Sequence, residues 1–275
     1  MRYLIMAAIL ALPLLVGGCA GPEQREQRDG YTVDHTWVSP SHNSRVRHLV
    51  LHYTDIDEAG SLEVLTGPYV SAHYVLPLPA RHYRGEPLVY QLVDEERRAW
   101  HAGASAWKER TNINDSSIGI EIVNSGRAPY PKAQIEALIA LSRDIIARHN
   151  IHPTNVVAHS DIAPTRKIDP GPHFPWDKLY EAGIGVWPDE GAVARWQAHF
   201  TPQPPTLTTL QHALKAWGHP LEVSGELDHE TRAVLRAFQM RFRPADYRGE
   251  PDIETVATLW ALLERYQPQA LERLE

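Results

Sequence analysis

The chain of 275 residues has one cysteine, Cys19, so no intramolecular disulfide can brace it even in an oxidising compartment. It has no basic excess either. Its 27 Lys and Arg against 34 Asp and Glu leave a formal charge of -7, which removes the footprint needed to grip phosphate backbones and, with it, nucleic acid as a partner. The apolar run from Leu4 to Val16 is too short to cross a bilayer as a permanent helix. There is no His-Glu-x-x-His pair, no serine elbow and no nucleophilic cysteine. What the chain does have is 43% hydrophobic residues, enough for one domain of ordinary size and a small second one.

The amino terminus joins Met1, Arg2 and Tyr3 to that apolar run and then to Gly17, Gly18 and Cys19, the layout of a secretory signal over residues 1–18. Val16-Gly-Gly-Cys19 resembles the lipobox of bacterial lipoproteins, in which the cysteine becomes the first mature residue and carries the lipid. Each buried acyl methylene contributes about 0.8 kcal/mol, so a multiply acylated Cys19 would act as a durable membrane anchor. Ala20 stands where an Asp would, by resemblance to lipoprotein sorting, retain the protein at the inner membrane, so the expected location is the outer membrane, facing the periplasm. Residues 19–31 are expected to form a lipid-anchored tether, flexible over the polar stretch from Gly21 to Gly30.

Residues 32–198 read as the main domain. Arg47 to Tyr53 is a buried-strand run ending at His52, and Leu88 to Val93 is a second strand. Over Ser117 to Asn124, Ile118, Ile120 and Ile122 alternate with Gly119, Glu121 and Val123, so Glu121 faces away from the isoleucines, either solvated or buried with a partner. Pro131 and Lys132 to Asn150 carry a helical repeat of Ile135, Leu138, Ile139, Ser142, Ile145 and Ile146. A brief strand from Asn155 to Ala158 leads into His159. This alternation predicts an α/β fold, in which ligands gather beyond the carboxyl ends of strands.

The stretch from Ala158 to Trp176 sets His159, Asp161, Lys167, Asp169 and His173 among prolines and a glycine. These exclude a long helix and favour an ordered loop, where chemistry tends to sit. His52 and His159 both end strands, and Asp169 follows His159 by ten residues. Two neutral imidazoles and a carboxylate leave a bound dication with about one net positive charge and a free fourth position, the catalytic form of a zinc site. With 15 histidines in the chain, spacing alone leaves that reading level with one of structural histidines.

The motifs Leu49-Val-Leu-His52-Tyr-Thr, Val70-Ser-Ala-His73-Tyr, Trp100-His-Ala-Gly103, Ser117-Ile-Gly-Ile-Glu121-Ile-Val-Asn124 and the Ala158 to Trp176 loop lie within Arg45 to Trp187. This segment resembles the type 2 zinc-dependent N-acetylmuramoyl-L-alanine amidases, which share their fold with peptidoglycan recognition proteins. Similarity to an outer-membrane lipoprotein branch extends through Gly183-Ile-Gly-Val-Trp-Pro188.

The resemblance implies a mixed central sheet flanked by helices, with one zinc held by His52, His159 and Asp169. Glu121 falls on the family's active-site glutamate and Lys167 on its catalytic lysine, while Trp100, His101, Asn124 and His73 are candidates to line the substrate groove. The bond cut would be the amide between the lactyl group of N-acetylmuramic acid and L-alanine, in peptidoglycan or muropeptides. The alternative is a lipoprotein that recognises peptidoglycan without cutting it, as relatives lacking a complete metal site do.

Residues 199–206, with Pro202, Pro204 and Pro205, read as a stiff linker. Beyond it, 207–268 should form a three-helix bundle, built on Leu207, Leu210, Leu214 and Trp217, then Ala233, Val234, Ala237 and Phe238, then Val256, Leu259, Trp260 and Leu263. The residues Leu210-Gln211, Gly218, Gly225, Leu227-Asp228, Thr231 and Phe238-Gln239 resemble the peptidoglycan-binding domain attached to wall hydrolases, which would raise local substrate concentration.

Overall fold

A computed structural model describes residues 24–274, so the signal segment and Cys19 lie outside the described residues. Strand β1 (Arg25–Arg28) pairs antiparallel with β2 (Tyr31–Asp34). This corrects the flexible stretch expected up to Gly30. Asp29-Gly30 is a turn signal, Gly30 adopts φ +80°, and Thr32 and Val33 favour extended backbone, so the polar segment closes into a hairpin. Arg25 and Asp34 pair across it at 2.9 Å.

Residues from Ser44 onward form one compact unit around a central sheet. Its elements in chain order are β3 (His48–Tyr53), helix α1 (Glu58–Leu65), β4 (Tyr74–Leu76), the hairpin of β5 (Arg81–Tyr83) and β6 (Glu86–Leu88), and β7 (Tyr90–Gln91). A second hairpin of β8 (Ala106–Trp107) and β9 (Arg110–Thr111) follows, then β10 (Ser117–Ile122), α2 (Lys132–His149), β11 (Val156–Ala158), α3 (His159–Ile162), α4 (Trp176–Glu181) and α5 (Glu190–Phe200). The five-stranded sheet has the order β11-β3-β10-β4-β7, parallel except for the last pair. The run expected from Leu88 to Val93 is split, because Glu86–Leu88 pairs locally with β5 before the chain joins the sheet edge at Tyr90.

Alternation along the strands decides what each face carries. Ile118, Ile120 and Ile122 of β10 pack with Leu49 and Leu51 of β3 and with Ile135, Leu138 and Ile145 of α2. Helix α2 begins after Pro131 and ends where Asn150 turns left-handed at φ 52°, and its buried Gln134 donates to the carbonyls of Val123 and Pro77. The opposite face carries Val50 and His52 on β3 beside Gly119 and Glu121 on β10. In the parallel register Glu121 lies directly opposite His52 and Gly119 opposite Val50.

Three helices follow: α6 (Leu207–Trp217), α7 (His229–Phe242) and α8 (Ile253–Tyr266). Each is capped by a side chain on the third residue ahead: Thr206 on Thr209, Asp228 on Thr231 and Asp252 on Thr255. A short internal repeat, not anticipated from the sequence, explains two of these caps. Gly225-Glu-Leu-Asp-His-Glu-Thr231 recurs as Gly249-Glu-Pro-Asp-Ile-Glu-Thr255. In each copy a buried glutamine, Gln211 or Gln239, accepts from the glycine N–H and donates to the threonine hydroxyl. The helices do not stand apart from the sheet. One buried cluster runs from Val50 and Val157 through Trp107 and Ile162 to Leu214, Trp217 and Phe238, and α5, also not anticipated, stacks Trp196 and Phe200 against the same body.

Ile120 is fully buried at the centre of the sheet, so Ile120→Ala should lower unfolding free energy by about 2–5 kcal/mol in urea titration. A loss below about 1 kcal/mol would mean that this face can collapse around the missing side chain.

Candidate metal centre

His52 ends β3, His159 opens α3 directly after β11, and Asp169 lies in the loop that returns toward them. The neighbouring parallel strands β3 and β11 bring the first two together. Asp169 is fixed by its own carbonyl, which accepts the Ser160 N–H at 3.0 Å. The side-chain atoms converge: His52 Nδ1 to His159 Nδ1 is 2.9 Å, and each Nδ1 lies 3.0 Å from Asp169 Oδ2. All three residues are buried.

This donor set fits a metal ion. His159 Nε2 faces the Ala102 carbonyl at 3.1 Å, an acceptor only, so that nitrogen carries the proton and the lone pair is left on Nδ1. A bare nitrogen, a second imidazole nitrogen and a carboxylate oxygen cannot all face one point comfortably without a positive charge between them. A single proton satisfies at most two of the three, whereas a cation satisfies all.

Burial drives the His52 pKa down to about 4, with a further push from His159. Burial would raise Asp169, but the adjoining imidazoles of His159 and His52 override it and hold the carboxyl below the usual range. Both effects keep the ligands in the forms a metal needs, imidazole and carboxylate.

His52 is aimed from behind. Its Nε2 meets His101 Nδ1 at 3.0 Å, and His101 Nε2 meets the Ser117 hydroxyl at 3.1 Å. The His101 ring lies so close over Gly119 that a Cβ there would fall 2.4 Å from it. Smallness at 119 is therefore a requirement of the site, and neither Gly119 nor Ser117 was singled out from the sequence beyond its strand pattern. The backbone bearing His101 is anchored by Asn114, whose Oδ1 accepts from the N–H groups of His101 and Ala102.

A cavity of about 530 Å³ opens over this cluster, lined in part by Tyr53, Val70, Trp100, Arg166 and Ile168. Glu121 and Lys167 reach it as well. Glu121 Oε2 is shut off from water with no hydrogen-bond partner among the described residues. Burial, then the Asp169 charge, raises its pKa well above the ordinary carboxylate value, against a smaller opposing effect from Lys167. Neither environment expected for Glu121 is met as stated: the residue is half-buried on the cavity wall, with Oε2 sealed off but not paired.

The remaining candidates separate. Trp100 is half exposed on the cavity wall, and His101 touches both the cavity and His52. Asn124 lies in an adjoining cleft with Asp55 and Ser125, its Oδ1 accepting from the Gly126 N–H. His73 does not reach the cavity: fully buried, it accepts from the Gly119 N–H and donates to the Arg97 carbonyl, which corrects its expected place in a substrate groove. The resemblance offered it for the groove, but both its nitrogens are occupied by backbone.

Residues 42–172 match the family described as N-acetylmuramoyl-L-alanine amidase, and residues 203–259 match a family of peptidoglycan-binding domains. Against N-acetylmuramoyl-L-alanine amidase AmiD of Escherichia coli (strain K12) the chain is 46% identical over 249 residues, covering 87% of this chain and 90% of that protein. The chain belongs to the N-acetylmuramoyl-L-alanine amidase family. Among solved structures, AmiD from E. coli in complex with the substrate anhydro-N-acetylmuramic acid-L-Ala-D-gamma-Glu-L-Lys superposes with a TM-score of 0.80 at 45% identity, over 88% of this chain and 98% of that one. AmpDh3 from Pseudomonas aeruginosa superposes equally well, with a TM-score of 0.80 at 43% identity over 86% and 99% of the two chains. The amidase fold is thus shared across both the sheet and the carboxyl-terminal helices.

Several histidines in and near this amidase core, His48, His52, His73 and His101, have their pKa values pushed down by burial. A depressed histidine stabilises the folded state fully above its unfolded value of 6.5, and that contribution is lost as pH falls toward the folded value, about 4 for His48 and His52. Glu121, raised by burial, acts in the opposite sense above 4.5 but is one group against several. Urea midpoints of the metal-free protein should therefore fall as pH drops from about 6.5 to about 4. A flat profile over that window would contradict these burial effects.

Proposed function

We propose that the chain is a zinc-dependent amide hydrolase that cuts the bond between the lactyl group of N-acetylmuramic acid and L-alanine in peptidoglycan or its muropeptides. The observation that carries this reading is the convergence of His52, His159 and Asp169 to about 3 Å, with Glu121 and Lys167 on the same cavity. His52, His159 and Asp169 would hold the ion. Zinc in such a set supplies Lewis acidity, making water nucleophilic near neutral pH and polarising the amide carbonyl.

The chain's own residues carry the proton and the charge. Glu121 accepts the proton that water loses as its oxygen bonds to the carbonyl carbon, and returns it to the alanine nitrogen as the carbon–nitrogen bond breaks. The products are a lactyl carboxylate and a free amine. The place of Glu121 opposite His52 on the next strand, with the side chain reaching the cavity, sets it beside the metal ligands. Lys167 offers its ammonium group to the oxygen that becomes negative when the carbonyl turns tetrahedral. Trp100 provides a flat face for a sugar or methyl group at the cavity mouth.

Substrate complexes of relatives support a muropeptide as the ligand: E. coli AmiD with an anhydromuramyl tripeptide and AmpDh3 with an anhydromuramic pentapeptide. The match of residues 203–259 to peptidoglycan-binding domains supports a wall-directed role. The lipobox-like Cys19 supports a lipid anchor in the outer membrane, with the enzyme facing the periplasm. A recognition protein that does not cut is disfavoured, since binding alone gives no reason to assemble three metal-capable ligands beside a carboxyl with one sealed, unpaired oxygen.

Glu121→Gln should lower kcat/KM on a purified muropeptide by about 10²- to 10⁴-fold with zinc content unchanged. Lys167→Ala should cost about 10²- to 10³-fold. Mass analysis should find free stem peptide released by the wild type, abolished by a chelator and restored by zinc. Full release in the presence of the chelator, or wild-type turnover by Glu121→Gln, would overturn the mechanism.

A further inference from the structure

Asp161 lies in α3, two residues after His159, and is 1% exposed. Its Oδ2 accepts two hydrogen bonds of 2.8 Å: one from the backbone N–H of Ala158, the other from Nη1 of Arg241 on α7. Arg241 is 3% exposed, and its guanidinium lies 4.0 Å from the ring centre of Trp176, the last residue of the catalytic loop. Among the described residues Arg241 Nε and Nη2 have no partner, so Asp161 alone answers the buried charge. Burying such a pair sacrifices hydration on both sides, so its value lies in fixing geometry more than in stability.

The Ala158 N–H held by Asp161 is where β11 hands over to α3, one peptide before His159. Within α3, Ser160 donates its N–H to the Asp169 carbonyl, so the backbones bearing two ligands are already tied together. A second strut comes from the turn after α6, where His219 Nδ1 donates to the Asp161 carbonyl at 3.1 Å while its ring meets Trp107 edge-on. None of these helical-unit side chains lines the cavity.

We propose that Arg241 is a positioning residue for the metal ligands. Through Asp161 it clamps the peptide ahead of His159, so the carboxyl-terminal helices complete the metal site in addition to any contact they make with the wall. This rests on the reading of His52, His159 and Asp169 as metal ligands. It also accounts for a full buried charge in a helix that a separate binding module would not need.

The test uses the full chain and two readouts, zinc affinity by chelator competition and hydrogen exchange at the Ala158 amide. Arg241→Met keeps much of the stem over Trp176 and removes the charge. It should weaken zinc affinity by about 10- to 100-fold, the usual effect of losing a partner behind a ligand, and speed exchange at Ala158. Arg241→Met with Asp161→Asn leaves no unpaired charge, should behave alike, and carries the test if the single variant does not fold.

Leu259→Ala, a cavity in α8 remote from Asp161, should lower the melting temperature and leave zinc affinity within about threefold of wild type. The proposal is overturned if either Arg241 variant keeps wild-type affinity and exchange, or if Leu259→Ala loses affinity equally. A wild-type chain that binds no zinc, with His159→Ala no different, would sink the metal reading instead. Exchange at Ala158 would still report on the clamp.

Discussion

Two imidazole nitrogens and a carboxylate oxygen, drawn from positions 52, 159 and 169, are held about 3 Å apart at the base of the cavity. Lone pairs so crowded repel one another unless a cation lies among them, and the rest of the molecule can be understood as what keeps them there. Parallel pairing of β3 with β11 and β10 sets His52 beside His159 and opposite Glu121. The isoleucines on the far side of β10 seal the sheet onto α2, so the polar face cannot slip by one residue without burying Glu121 in hydrocarbon.

Around that centre the hydrogen bonds are layered. His101 and Ser117 orient His52, the Ala102 carbonyl sets the tautomer of His159, and Asp161 holds the turn from which His159 projects. Arg166 steadies the same strip, donating to the carbonyls of Ala102 and Ala104. Such outer partners decide how firmly a ligand holds its direction, and so how little rearrangement metal binding requires. The carboxyl-terminal helices belong to this layer through Arg241 and His219. Their shared core with the sheet makes them part of the catalytic body and not a freely hinged module.

Much of this was legible in the sequence for identifiable reasons. The alternation of Ile118, Ile120 and Ile122 fixed the face of Glu121. The strand-ending positions of His52 and His159 pointed to one rim, and the proline-rich loop announced an ordered wall. Capped helices with clean apolar stripes were equally readable; Val256, Leu259, Trp260 and Leu263 all lie buried on Ile253–Tyr266.

The features that escaped depend on distance in three dimensions. His73 looks like a groove residue until Gly119 and Arg97 are seen to occupy both its nitrogens, and Arg241 carries no local mark of a partner 80 positions away. The hairpin at Arg25–Asp34 was masked by its charges, although Asp29-Gly30 marked its turn. Resemblance supplied the substrate bond and the role of Lys167, neither of which spacing could give.

The most direct measurement is X-ray absorption at the zinc edge of the purified, zinc-loaded protein, with His159→Ala alongside. The expected spectrum shows one zinc per chain with two imidazole nitrogens and a carboxylate oxygen at about 2.0–2.2 Å, and loss of one imidazole in the variant. A wild-type protein that retains no zinc, or a coordination shell unchanged by removal of His159, would contradict the convergence of these three side chains on a single ion.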